Sequence, residues 1–175
     1  MALLDSPLNK AGRLRIIIQT KKGVLIKVSP NIRLPRTYKR FSGLMAQLLT
    51  KMRIRSPDTA EPLLEIVNGP ISSHLPRDSF KVGTSTKGHL ITELEQYMNT
   101  NQKTPDTPEK GQPLVFVIGC TSTGSYGYDC EYTDDCISIS HYALSTQCVC
   151  QRVVFAAEEM WGVQWAPKSV ASELF

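Results

Sequence analysis

Arg33, Arg36 and Arg40 crowd the start of a stretch whose apolar residues recur at helical spacing. A guanidinium is planar, permanently charged and shaped to donate paired hydrogen bonds to a phosphate. Placing Arg36, Lys39 and Arg40 at a helix start sets positive charge against the positive end of the helix dipole, at a cost of about 0.3 to 1 kcal/mol per residue. A bound anion offsets that cost, and the free amides of a helix N-terminus suit phosphate as well. Tyr38, lying among these cations, offers a ring on which an unpaired base can stack. The charge distribution agrees. Residues 1 to 55 hold 13 Lys or Arg against one acid, Asp5, a balance of +12, while the remainder carries 7 bases and 15 acids, a balance of −8. Such asymmetry points to a polyanionic partner, read here as RNA, with a solvated surface of clustered charge as the alternative.

Glycines that follow candidate strands form the second set. Gly83, and Gly119 with Gly124, fall where open α/β sheets bind ligands, beyond the carboxyl ends of the strands. The Gly119 to Gly124 spacing suggests a phosphate loop, but Ser125 stands where the nucleotide motif requires Lys, and no G-x-G-x-x-G spacing is present. The residues alone leave these glycines open between turn positions and ligand contacts. No Ser-His-Asp or Cys-His signature occurs, and Asp134-Asp135 reads as a solvated helix end. Asp5, the sole acid in a basic stretch, either pairs with a neighbouring cation or belongs to a site, and pairing is the favoured reading. Cys120, Cys130, Cys136, Cys148 and Cys150 form no CxxC pair, and His74, His89 and His141 are scattered. Buried reduced thiols are therefore expected, with neither a disulfide framework nor a metal centre.

The elements that must position these residues follow from periodicity. Arg13 to Ser29 reads as a hairpin with its turn at Thr20-Lys-Lys-Gly23. Pro30 and Pro35 hold an extended link to Thr37, a helix cap, and Phe41, Leu44, Met45, Leu48, Leu49 and Met52 then mark one continuous apolar helix face. Ser56 to Glu61 is a polar loop, Leu63 to Val67 a strand ending at Asn68-Gly69-Pro70, and Lys81 to Ser85 another strand. A short helix over Leu90 to Met98 precedes an exposed loop from Asn99 to Pro113. Pro113 to Ile118 has the apolar run of a strand buried on both faces of a parallel sheet. Cys136 to Ser140 is a strand, His141 to Ser145 a loop, and Thr146 to Trp161 the last helix, whose Val149, Val153, Phe155 and Trp161 either join a subunit interface or pack on the sheet. The order suggests one α/β domain over residues 1 to 175, without internal repeats. No apolar run approaches the ~20 residues of a bilayer span and no signal peptide is evident, so a soluble intracellular protein is expected.

Three stretches then resemble a known family: Leu4-Asp-Ser-Pro-Leu-Asn-Lys-Ala-Gly12, Ile32-Arg-Leu-Pro-Arg-Thr-Tyr-Lys-Arg-Phe-Ser-Gly-Leu-Met45, and Ile139-Ser-His-Tyr-Ala-Leu-Ser145 with the closing Glu159-Met-Trp-Gly162. They are similar to the eukaryotic nucleolar essential protein family, SPOUT-class methyltransferases that modify N1 of a pseudouridine in small-subunit ribosomal RNA during ribosome assembly. The resemblance implies a SPOUT-like α/β knot, with an open sheet, flanking helices and a C-terminal trefoil knot. It implies S-adenosylmethionine as cofactor, held by loops that match Thr84, Gly119, Gly124 and the run Ile139, Ser140, His141, Tyr142, Ala143 and Leu144. It assigns RNA contact to Arg33, Arg36 and Arg40, and Asp5 is the nearest match for a catalytic proton acceptor. It implies a homodimer acting on the pre-ribosomal particle in the nucleus and nucleolus.

Departures from the family pattern temper the expectation. The opening strand of the sheet and an Arg-Pro-Asp motif precede the matched region in the family and are not in this sequence. The cofactor loop reads Gly119-Cys-Thr-Ser-Thr-Gly124-Ser rather than Gly-Ala to Gly-Lys, and Ala143 and Thr146 stand where the knot loop has proline and alanine. A non-catalytic RNA-binding assembly factor that lost its cofactor site is accordingly the alternative.

Overall fold

A computed structural model describes residues 1–56, 61–102, 112–120 and 132–163. These residues gather into two compact units, Leu3–His74 and Leu75 onward.

The first unit is an antiparallel sheet with one helix on it. A short helix α1 (Pro7–Lys10) precedes strands β1 (Ile16–Gln19) and β2 (Leu25–Val28), helix α2 (Tyr38–Lys51), and strands β3 (Arg53–Arg55) and β4 (Pro62–Val67). The sheet order is β1-β2-β4-β3. The hairpin turn lies where the sequence put it: Gly23 takes φ of 80°, and the Val24 amide donates to Thr20 Oγ1 at 3.0 Å. β2 and β4 place Ile26, Val28 and Leu64 in a core that Leu48 of α2 closes, and Ile26 and Leu48 are fully buried. Each such side chain contributes about 1.5–3 kcal/mol by leaving water.

The helix α2 is the one the spacing predicts, but its apolar face is only partly used. Leu44, Met45 and Leu48 pack on the core, whereas Leu49 is 56% exposed and Met52 and Phe41 also reach solvent. α2 ends at Met52, whose φ of 63° turns the chain directly into β3. The sequence pattern predicts no strand there; Arg-Ile-Arg pairs only because β4 supplies its partners, with Arg53 opposite and ion-paired to Glu65 at 2.6 Å.

The second unit is a parallel sheet. It contains β5 (Phe80–Leu90), helix α3 (Leu94–Gln102), β6 (Leu114–Ile118), β7 (Asp135–Ser138) and helix α4 (Thr146–Met160). The sheet order is β6-β5-β7, with both neighbours parallel to β5. Val82 and Ile137 are fully buried, and α4 buries Val153, Val154, Ala156 and Ala157. The Trp161 indole N–H donates to Gln102 of α3 at 3.1 Å, and Phe155 faces outward at 62% exposure.

Several expectations change here. β5 runs on to Leu90 because Leu90 pairs with Ser138, so the helix expected from Leu90 begins at Leu94. β6 borders the described sheet on one side, and every residue of it is half-buried rather than fully buried. Gly83 lies inside β5, buried, not in a loop after it. Asp134 and Asp135 are not a helix end: Asp135 opens β7, and Asp134 Oδ2 accepts from the Lys81 amide at 2.7 Å. Cys150 is buried, but Cys136 and Cys148 are half-buried and Cys120 is exposed. Cys130 lies outside the described residues, as do Gly124 and most of the expected Asn99 to Pro113 loop. Residues 121–131, which join β6 to β7, are likewise outside them.

Candidate functional site

Two places assemble the residues singled out by sequence, one in each unit. In the first unit they meet at the start of α2. Asn9 fixes the approach: its side-chain N–H groups donate to the Leu4 carbonyl at 3.1 Å and the Pro30 carbonyl at 3.0 Å, stapling the N-terminal segment to the link that carries Arg33 and Arg36. Thr37 is the N-cap, yet its side chain makes no capping hydrogen bond. The amides of the first turn therefore keep their donor capacity. Arg33, Arg36, Lys39 and Arg40 are all exposed, and among the described residues none has an ion-pair partner. Four cations and uncapped amides thus share one helix mouth with no anion among the described residues paired to them. Asp5 does not do so: it is exposed and, among the described residues, forms no ion pair, so the pairing favoured from sequence is not observed.

In the second unit the candidates meet at the carboxyl edge of the parallel sheet. Thr84 is the last residue of β5 to pair with β6, and its hydroxyl donates to the Val117 carbonyl at 3.2 Å. Gly119 follows β6, and Ile139 to Leu144 follow β7. Thr146 joins the last two by donating to the Gly119 carbonyl at 2.9 Å. The loop after β7 is organised by its own serines. The Ser138 hydroxyl donates to the Ser140 carbonyl at 2.8 Å, Ser140 Oγ accepts from the Tyr142 amide at 3.1 Å, and Ser145 caps α4 through the Cys148 amide. Among the described residues, the main-chain groups of Ile139, His141, Ala143 and Leu144 carry no hydrogen bond. Such amides and carbonyls, next to the carboxyl edge of the sheet, are groups that can fix the orientation of a bound small molecule. No cluster among the described residues has the makings of a metal site.

Two features of this unit escaped sequence reasoning. Gly88 sits where β5 returns to pair with β7 a second time, and a Cβ there would lie 2.5 Å from the Ile137 carbonyl carbon. An isolated glycine within a strand is the usual sign of close backbone approach, so the signal was present. The other is a partly exposed network: the Tyr97 hydroxyl donates to Asp135, and His89 Nδ1 lies 3.5 Å from the same carboxylate. Burial, then the Asp135 carboxylate, push the Tyr97 hydroxyl above its ordinary range. Burial likewise pushes the Cys150 thiol up, which disfavours its thiolate.

No helix among the described residues is long and apolar enough to cross a membrane. Known proteins now bear on these two sites. Residues 1–158 match the pattern of the EMG1/NEP1 methyltransferase family. The ribosomal RNA small subunit methyltransferases NEP1 of Mus musculus and Homo sapiens are each 40% identical over 163 residues, 93% of this chain and 62% of theirs. The nep-1 protein of Caenorhabditis elegans is 42% identical over 161 residues, covering 92% of this chain and 65% of its own. The chain thus spans a little over three-fifths of the length of these curated relatives. Among solved structures, that of Archaeoglobus fulgidus Nep1 bound to S-adenosylhomocysteine superposes with a TM-score of 0.72 at 25% identity, covering 91% of this chain and 67% of that one. The α/β class expected from the sequence, SPOUT-like with an open sheet, is therefore the class observed. With its sequence matched over residues 1–158 and its fold shared, the chain belongs to the EMG1/NEP1 methyltransferase family.

Proposed function

We propose that this chain is an S-adenosylmethionine-dependent methyltransferase of small-subunit ribosomal RNA, transferring a methyl group to N1 of a pseudouridine during ribosome assembly. The observation that carries this reading is the set of main-chain groups at Ile139, His141, Ala143 and Leu144 that are without a hydrogen bond among the described residues, beside Thr84 and Gly119 on the carboxyl edge of the sheet. Those residues, with Ser140, Tyr142 and Gly124, are proposed to hold the cofactor, as an Nep1 with S-adenosylhomocysteine bound shares this fold. When bound, the cofactor supplies an electrophilic methyl group on a sulfonium. The protein's part is to hold the nucleobase nitrogen in line with that methyl and to accept the N1 proton as the new C–N bond forms. Asp5, an exposed carboxylate without an ion pair among the described residues, is proposed as the proton acceptor.

Arg33, Arg36 and Arg40 are proposed to contact phosphates of the RNA, which supplies the anion the helix mouth lacks. The two units are read as one methyltransferase domain with a trefoil knot, working as a homodimer on pre-ribosomal particles in the nucleus and nucleolus. Incubation with methyl-labelled S-adenosylmethionine and a small-subunit RNA fragment carrying pseudouridine tests this directly. Label retained on that nucleotide supports the enzyme; RNA binding without transfer, at saturating cofactor, leaves the non-catalytic assembly factor in its place.

A further inference from the structure

The geometry points to Tyr38 as a stacking platform for unpaired nucleobases, which makes the basic helix mouth selective for single-stranded or loop RNA over duplex; this inference rests on the reading of Arg36 and Arg40 as phosphate contacts. Tyr38 is the first residue of α2 and is 85% exposed. Among the described residues its ring has no aromatic neighbour and its hydroxyl no hydrogen bond. At about 100° per residue, Tyr38 and Leu49 fall on one flank of α2, beside the core-facing Leu44, Met45 and Leu48. Phe41 borders that flank at 36% exposure. An apolar flank that opens on an aromatic ring, and is met at its head by cations with no ion pair among the described residues, suits a ligand with anionic links and flat apolar faces.

The choice of occupant follows from charge. A second copy of the chain seated symmetrically on this flank would bring Arg36, Lys39 and Arg40 against their own equivalents, which is repulsive. A nucleic acid meets both features at once, since phosphates answer the cations and a base answers the ring. A duplex cannot use the ring, because its bases already stack on one another and its major groove is deep and narrow. Tyr38 lies within two residues along the chain of Arg36, Lys39 and Arg40. The stacked base and the gripped phosphates therefore belong to the same or adjoining nucleotides.

The test measures affinity of the full chain, over a range of salt, for a short mixed-sequence RNA, single-stranded and annealed to its complement. Tyr38→Ala is expected to weaken single-strand binding about five- to a hundred-fold, with duplex binding and the salt slope unchanged. Tyr38→Phe and Tyr38→Trp are expected to retain it. An unchanged single-strand affinity in Tyr38→Ala, while Arg36→Ala and Arg40→Ala weaken binding, overturns the platform but leaves the phosphate role standing. If neither the arginine variants nor Tyr38→Ala matter, the RNA reading itself is wrong. Equal affinity of the wild-type chain for duplex and single strand also overturns the platform. So does self-association that Tyr38→Ala abolishes in sedimentation, without effect on RNA.

Discussion

Replacing Gly88 by alanine isolates the close approach of β5 to β7, just before the loop proposed to hold the cofactor. The added Cβ would lie 2.5 Å from the Ile137 carbonyl carbon and 2.8 Å from both Ile137 Cα and the Cys136 oxygen. All three are backbone atoms, so no side chain can swing aside. Carbon atoms pack best at about 3.5–4.0 Å, so β5 and β7 must part by about 1 Å. That stretches the pairing of His89 with Ile137 and Leu90 with Ser138, and the 2.8 Å bond from the Ile91 amide to Ser138, beyond hydrogen-bond range. Bonds of about 0.5–1.5 kcal/mol each, with overpacking strain of about 1–3 kcal/mol, amount to a loss of about 3 kcal/mol. Gly43 is the control. It lies within α2, where an added Cβ would meet nothing within 4 Å, so Gly43→Ala should gain about 0.4–1 kcal/mol. Urea denaturation of both variants, read by tryptophan fluorescence and circular dichroism, gives the two values. Gly88→Ala within about 0.5 kcal/mol of wild type would refute the close approach on which this reasoning stands.

Tyr97→Phe removes the hydroxyl that donates to Asp135 and should cost about 1.5–3 kcal/mol, as for a bond to a charged group. Because the folded state holds the Tyr97 proton more tightly than the unfolded chain does, its contribution is complete below about pH 10 and fades as pH rises above it. A stability profile across that range should fall for wild type and flatten for Tyr97→Phe; identical slopes would contradict it. Arg36→Ala and Arg40→Ala should each lower the salt slope of RNA binding by about one phosphate contact, as measured by affinity against salt concentration. Ala143→Pro should raise the thermal midpoint, equivalent to about 0.4–1 kcal/mol, since the Ala143 amide has no hydrogen bond to lose among the described residues. A lower midpoint would mean that the loop backbone is incompatible with proline.

What the sequence disclosed follows a physical divide. α2 and α4 were legible because local spacing of apolar residues determines a helix, and the hairpin because Thr20 to Gly23 is a local turn signal. β3 was not, since Arg53-Ile-Arg55 carries no pattern of its own and is a strand only opposite β4. The reach of β5 to Leu90 was hidden for the same reason: Ser85-Thr-Lys-Gly88 looks like a loop until β7 pairs beyond it. Of the two sites, the helix mouth was readable from charge alone, because ion pairs that would have cancelled Arg33, Arg36 and Arg40 need acids their neighbourhood lacks. The loop after β7 was readable only through its resemblance to a family. Its main-chain groups, without hydrogen bonds among the described residues at Ile139, His141, Ala143 and Leu144, leave no mark on side-chain identity, and Thr146, which ties it to Gly119, sits at a position where the family pattern has alanine.

Calorimetric titration of the full chain with S-adenosylmethionine, repeated with S-adenosylhomocysteine, tests the central claim most directly. Saturable binding at about one cofactor per chain, weakened in Gly88→Ala and preserved in Arg36→Ala, is the predicted result. No heat and no competition at about millimolar cofactor would contradict it, and would leave the basic helix mouth as an RNA-binding surface without methyl transfer.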